Sequence, residues 1–372
     1  MAEFTNITLE KDKKTIAELY CSTEFTAEVH NEVTFLSAIN IFLSMTTFVE
    51  NSLVLVALHK TCSLHPPSKL LYLNLAMTDL SVGIIVEPLY VSYLMSVLNE
   101  RWDICYYALL SSIITSYVMC SVSLLTLTTT SMDRLLALLL GLRYRQVVTL
   151  KRTRITVAIL WILSIVGTSS YFWDVRILVL WGKISVPLCL VVSGISYTKI
   201  FVTLRRNHIQ VQDNSFRGQP QQKTLLNKAR YRKAVSNALW IQLVLAFCYF
   251  PYGIAEAVTP QRGIPLSGYL AREFTKTLVF LNSSLNPLLY FWKMRELRQA
   301  VKNTLCCLSM APFYAARSSL MAFAGGFSVE KALNKKLLAK SFFDSISCQF
   351  FSCLLKTDIA CEKETSTDLV DS

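Results

Sequence analysis

Seven stretches of this chain are each long and apolar enough to cross a bilayer as a helix: residues 34–58, 69–97, 105–139, 154–174, 177–204, 234–259 and 270–292. About 20 consecutive apolar residues are needed for one crossing. Inside the hydrocarbon every backbone N–H and C=O must find a partner within the protein, which admits only helices or a closed barrel. Barrel strands would appear as alternating pieces of about ten residues, whereas these runs are continuous. The expected fold is therefore all-α, a seven-transmembrane helix bundle. The composition agrees, because a chain that is 53% hydrophobic and 17% charged has too little polar surface to enclose seven such runs in water.

The formal net charge of +12 invites a nucleic-acid reading, but the basic residues lie between the apolar runs. The loop after the third run carries Arg143, Arg145, Lys151, Arg152 and Arg154, and the loop after the fifth carries Arg205, Arg206, Arg217, Lys223, Lys228, Arg230, Arg232 and Lys233. The loop NERWD after the second run has one arginine between acids. Lysine and arginine in short loops mark the cytoplasmic side, so the N-terminus is expected outside and the C-terminus inside. The N-terminus, MAEFTNITLEKDKK, lacks the basic, apolar, small-residue order of a cleavable leader. Insertion is then expected to rely on the first span itself.

This topology divides the chain into an extracellular segment (1–33), a membrane domain (34–307) and a cytoplasmic tail (308–372). Asn6-Ile7-Thr8 is a glycosylation acceptor triplet on the outer side. Of the eleven cysteines, only Cys21 and Cys105 fall where oxidising conditions prevail, and they are candidates to pair. No Cys/His spacing points to a metal site. After the seventh run, Met294, Leu297, Val301 and Leu305 recur at helical spacing among basic residues, as in a helix lying on the inner leaflet, in contact with membrane lipids. Cys306 and Cys307 at its end are candidates for palmitoylation, a two-chain anchor.

Polar residues inside the spans carry the functional signal. Asp79 sits mid-span in NLAMTDL, where an aspartate costs about 2.5 to 3.5 kcal/mol on insertion scales. In NSSLNPLLYFWK, Asn282 and Asn286 share a helix face, and Pro287 removes the donor to the carbonyl four residues earlier. The Asn-Pro pair thus makes a hinge whose polar groups can meet an interior acid. Ser123 and Asn51 offer further partners; a cation, a proton or a static hydrogen-bonded core would each satisfy Asp79.

These residues and their order resemble the rhodopsin-like G-protein-coupled receptors. MDRLLALLLGLRY is similar to that family's Asp-Arg-Tyr end of the third helix, NSSLNPLLYFWK to its Asn-Pro-x-x-Tyr motif, and NLAMTDL to its second-helix Leu-Ala-x-x-x-Asp. Asn51, Trp161 and CYFPY resemble its first-, fourth- and sixth-helix signatures. The resemblance implies a receptor that binds an extracellular ligand and activates a heterotrimeric G protein by outward movement of the sixth helix, with arrestin as a further partner, no nucleic acid and no catalytic residues. Residue by residue it assigns G-protein coupling to Asp133, Arg134, Leu142, Tyr197 and Tyr290, with Asp133 pairing Arg134 at rest. Asp79, Ser123, Asn282 and Asn286 match the family's sodium pocket, with no other metal or cofactor implied, and Pro251 and Pro287 match its hinges. The plasma membrane is the implied location. A receptor-like binding protein that does not signal is the alternative, and a transporter the next.

The departures from the pattern are as informative. Leu135 stands for the tyrosine of Asp-Arg-Tyr, Tyr249 for the sixth-helix tryptophan, Leu245 for a nearby phenylalanine, Gly141 for the loop proline and Cys189 for the fifth-helix proline, while Tyr231 stands where many members hold the arginine with an acid. Weak restraint of the resting state, and hence basal activity, follows as an expectation. Cys105 lies four residues before the family's third-helix cysteine position, Leu109, and YFWDVRILVLWGK holds no partner cysteine, so the family's outer disulfide is absent. Melanocortin, lysophospholipid and cannabinoid receptors resemble this pattern, which points to a peptide or lipid. Ser116 replaces the aspartate of amine receptors, and Phe280 replaces the lysine of opsins. The expected ligand pocket comprises Glu87, Ser116, Tyr117, Cys120, Tyr249, Tyr252, Glu256, Lys276 and Phe280, with Glu256 or Glu87 meeting a cationic group of a small molecule, lipid or peptide.

Overall fold

The computed structural model describes residues 20–21, 23–60, 64–215, 240, 243–258 and 265–293, and for 22–28, 60, 207–215 and 289–293 among these no side-chain environment. Asn6, Cys306, Cys307 and the tail 308–372 lie outside the described residues, as does the side chain of Tyr290. Seven helices follow one another: α1 (Thr23–Lys60), α2 (Pro66–Leu98), α3 (Trp102–Leu140), α4 (Leu150–Ser169), α5 (Val175–Ser215), α6 (Leu243–Val258) and α7 (Leu266–Lys293). Among the described residues α1 to α5 are long and apolar enough to span a membrane. The chain falls into two units, one of residues 1–52 and 65–289, the other of residues 53–64 and 290–372. The second unit's described part is helical, with Val54, Ala57 and Leu58 buried.

The bundle is polar inside and apolar outside. Phe42 and Met45 on α1, Ile162 and Val166 on α4, Leu188 and Val191 on α5 and Phe247 on α6 are exposed, while Asn51, Asp79, Asn282 and Asn286 are buried. A soluble protein would not present so continuous an apolar perimeter. Between helices in lipid, close packing and interhelical hydrogen bonds hold the assembly instead of hydrophobic burial. Gly167 shows the packing: a Cβ there would come within 2.5 to 2.8 Å of the Trp181 indole, so α4 meets α5 only because that carbon is missing. Trp161 adds a bond from its indole N–H to Asn74 Oδ1 at 3.0 Å, and Asn74 in turn donates to Thr126 at 2.8 Å, linking α4, α2 and α3.

Two prolines leave carbonyls bare, and α1 supplies a donor to each. In α7 the carbonyl that Pro287 cannot serve is that of Ser283; it accepts from Asn51 Nδ2 at 3.1 Å. In α2 residues Val82–Val86 form a π-turn, in which the N–H of Glu87 reaches back five residues to Val82. In that register Pro88 has no N–H for the carbonyl of Gly83, which accepts from Ser44 at 2.7 Å. Gly83 also lets α1 pass close, since a Cβ would lie 3.0 Å from Thr47 Cβ and 3.1 Å from the backbone nitrogen of Phe48.

α3 ends at Gly141, whose φ of 53° suits glycine. The chain then makes a single 3₁₀ turn (Gly141–Arg143) and a short helix (Tyr144–Val147) before Thr149 caps α4 by accepting from the Arg152 N–H at 3.5 Å. At the other end of α3, Cys105 is disulfide-bonded to Cys21. The candidate pair read from the cysteine distribution is thus formed, and it ties the segment before α1 to the start of α3.

Candidate functional site

Three polar centres lie along the bundle. The middle one is built on Asp79, which is fully buried on α2. Its Oδ1 accepts from Ser123 Oγ of α3 and from Ser283 Oγ of α7, both at 2.9 Å, and its Oδ2 accepts from Asn286 Nδ2 at 2.8 Å. Three donors on two oxygens are the complement an ionised carboxylate needs in a low-dielectric interior. Nearby, Thr47 and Ser284 share a hydroxyl bond of 2.6 Å and Asn40 donates to Thr277 at 3.0 Å, so α1 is stitched to α7. The sequence reading placed Asn282 against Asp79; in the structure Ser283 takes that role, and the buried amide nitrogen of Asn282 has no partner among the described residues. Spacing alone does not separate the two, since both 282 and 283 share a face with 286. The carboxylate, the serine hydroxyls and the asparagine amide oxygens form an oxygen-rich donor set suited to a hard monovalent cation. Among the described residues no group of His, Cys, Asp and Glu has the makings of a transition-metal site.

The second centre, at the end of α3 that precedes Gly141, separates the two residues of the Asp-Arg pair. Asp133 accepts from Ser68 Oγ at 2.9 Å and from the Tyr144 hydroxyl at 2.7 Å. Arg134 donates through Nη2 to the Tyr72 hydroxyl and lies over that ring, 5.4 Å from its centroid. The expected resting contact between Asp133 and Arg134 is therefore replaced by two partners on α2 and one in the loop. Tyr197 is buried against Leu135 and Leu138. Leu135, where the family pattern has a tyrosine, thus packs against α5. Leu142 is 97% exposed and free to meet another protein.

The third centre is a partly open cavity at the opposite end. Ser116, Tyr117, Cys120, Tyr249, Tyr252, Lys276 and Phe280 of the expected pocket line it, and Tyr90, Tyr93 and Ser112 add to them. Tyr249, in place of the family's tryptophan, forms part of the wall together with Tyr252, whose hydroxyl lies 3.5 Å from that of Tyr117.

Glu87 and Glu256, the two acids expected to meet a cationic ligand, are not part of that lining. Glu87 directly follows the π-turn, is fully buried, and neither carboxyl oxygen has a hydrogen-bond partner among the described residues. Glu256 lies 3.4 Å from Arg272, which also donates to Tyr20 at 3.2 Å. Burial, reinforced by the carboxylate of Glu273, pushes the Tyr20 phenol up to about 12, so it keeps its proton at any physiological pH. Sequence reasoning missed Glu273, which is fully buried and accepts from the Tyr90 hydroxyl at 2.6 Å and from Lys276 Nζ at 3.0 Å on each oxygen. The signal was present as an i, i+3 acid and lysine pair in α7.

Comparison with known proteins places this geometry. The family model for 7 transmembrane receptors (rhodopsin family) matches residues 50–172 and 166–290. The chain is 26% identical over 304 residues to the histamine H2 receptor of Cavia porcellus, covering 73% of this chain and 79% of that one. It is 31% identical over 136 residues to the 5-hydroxytryptamine receptor 1B of Equus caballus, covering 35% and 33% respectively. With the matched segments running through the Asp79 cluster, the Asp133-Arg134 pair and the Asn286-Pro287 hinge, the chain belongs to the rhodopsin family of seven-transmembrane receptors, which are G-protein-coupled receptors and not enzymes.

Proposed function

We propose that this receptor sits in the plasma membrane with its N-terminus outside, binds an extracellular ligand in the cavity lined by α2, α3, α5, α6 and α7, and passes the signal to a heterotrimeric G protein at the Arg134 end. The observation that carries the reading is the alignment of the three polar centres along one bundle. The cavity, the Asp79 cluster and Arg134 all involve α3 and α2, so a ligand that shifts these helices acts on all three. For such a shift to signal, ligand and G protein must both prefer the same second arrangement of the helices. Arg134 leaves Tyr72 as α6 moves outward at Pro251; Leu142 and Tyr197 contribute to the inner surface, Tyr290 is assigned to coupling by the family's motif alone, and arrestin uses the same face. Asp79, Ser123, Asn282 and Asn286, with Ser283, would hold a sodium ion, whose chemistry is charge balance for the buried acid.

Two relatives are named for amines, histamine and 5-hydroxytryptamine. The amine reading does not transfer to this chain, because Ser116 stands at the family's amine-anchoring position and, among the described residues, no carboxylate lines the cavity. The test is nucleotide exchange on purified G protein by the reconstituted receptor, beside Arg134→Ala. Exchange above background in the parent and lost in the variant supports coupling. Equal exchange in both rejects it.

A further inference from the structure

The charge of the missing ligand can be read from the wall of the cavity. Among the described residues lining it, Lys276 alone carries a formal charge. The acids nearby are engaged or buried: Glu256 lies against Arg272, and Glu87 and Glu273 are fully buried. The Lys276 ammonium spends two hydrogen bonds on the Glu273 oxygens, each at 3.0 Å, and sits over the Tyr90 ring, 5.1 Å from its centroid. An ammonium has three N–H donors. With its side chain 23% exposed and lining the cavity, Lys276 has one donor left for an occupant.

Below Lys276 on the same face of α7 come Val279 and Phe280, at i+3 and i+4, and across from them Leu124 of α3 and Tyr249 of α6. The wall is mostly apolar and aromatic, with one cationic donor and the hydroxyls of Ser112, Ser116, Ser121 and Ser185 among its polar groups. A cationic ligand would have to place its charge beside an ammonium whose paired carboxylate, Glu273, is already spent on that ammonium and on the Tyr90 hydroxyl. Like-charge juxtaposition in a buried site is unfavourable.

Resting on the reading of this cavity as the ligand site, we infer that the ligand is an anionic amphiphile, its acidic head group accepting the third hydrogen bond of Lys276 and its apolar body packed on Val279, Phe280, Leu124 and Tyr249. A carboxylate and a phosphate monoester share this chemistry. Glu273 then acts as the counter-charge that holds the lysine in place and moderates its pull on the ligand.

The experiment measures thermal stabilisation of the purified receptor in zwitterionic nanodiscs, with no G protein present, by dodecanoic acid, dodecyl phosphate, dodecylamine and methyl dodecanoate. One or both acids should raise the unfolding midpoint saturably, and which of them does so identifies the head group. Lys276→Gln should weaken the effective acid by about ten- to a hundredfold, the range for one charge-assisted hydrogen bond, and Lys276→Arg should retain most of the effect. Glu273→Gln, which removes the counter-charge, should tighten it by about tenfold, a gain no merely structural damage produces. Stabilisation by the amine, an equal effect of the ester, an acid effect that persists in Lys276→Gln, or no effect of either acid overturns the inference. Because binding is read without G protein, acid binding with no nucleotide exchange would reject the coupling proposal and leave this one standing.

Discussion

Replacing Asn51 by alanine removes the donor to the Ser283 carbonyl, which Pro287 has already deprived of its helical partner. The same amide also donates to Thr47 O at 3.0 Å, but that carbonyl lies in uninterrupted helix and keeps its backbone bond. The damage therefore concentrates on one buried acceptor. A buried carbonyl left without a donor costs about 1 to 3 kcal/mol, and interhelical bonds in membrane proteins average about 0.6 and reach about 1.7 kcal/mol, so a loss of about 1 to 1.5 kcal/mol is expected for Asn51→Ala. In a Pro287→Ala background the helix recovers an N–H at 287 that can reach Ser283, and the same substitution should then cost about 0.5 kcal/mol or less. The cycle's coupling term, about 1 kcal/mol, exceeds the scatter of about 0.3 to 0.5 kcal/mol seen for independent sites, and the cavity left by the side chain cancels between the two backgrounds. Equilibrium unfolding of the four proteins in mixed micelles measures it. If Asn51→Ala costs the same with and without Pro287, the carbonyl has another donor and the assignment of Asn51 as its cap is wrong.

Three other outcomes follow from the geometry. Tyr72→Phe deletes the hydroxyl that holds Arg134; losing about 1 kcal/mol of resting-state restraint should raise basal nucleotide exchange about fivefold, and unchanged basal exchange would show that the contact does not restrain the receptor. If the Asp79 cluster takes up sodium, replacing a large organic cation by sodium at constant ionic strength should lower basal exchange in the parent and leave Asp79→Asn unaffected; equal sodium responses would remove the site. Gly167→Ala puts a methyl within 2.5 to 2.8 Å of the Trp181 ring and should destabilise by about 1 to 3 kcal/mol, read as a lower unfolding midpoint that Trp181→Leu restores in the double variant.

The fold was legible because bilayer thickness imposes a length on every apolar run, and the membrane core was legible because an aspartate and an Asn-Pro pair are too unfavourable in lipid to be incidental. What spacing left open was depth and partner. It placed Asn282 and Asn286 on one face, but a neighbouring serine on nearly the same face took the bond to Asp79. Glu87 was expected in the cavity, and the π-turn at Val82–Val86 changes the helical register just before it. Glu256 was placed on the correct helix, yet its partner Arg272 lies on another, and no local pattern announces a contact across sixteen residues and a loop. The same limit applies to Arg134, whose nearest acid in sequence was the obvious mate and whose actual partner sits sixty-two positions away.

Ser44 and Asn51 lie two turns apart on α1, a helix with no side chain in the cavity wall, yet each closes the gap that a proline opens in a different neighbour. Flexing α7 at Pro287 or α2 at Pro88 therefore begins with stretching a bond anchored in α1. α1 thus stands as an outlying strut to both prolines. Substitutions along that strut should change how quickly the receptor answers while its half-saturating dose stays where it was.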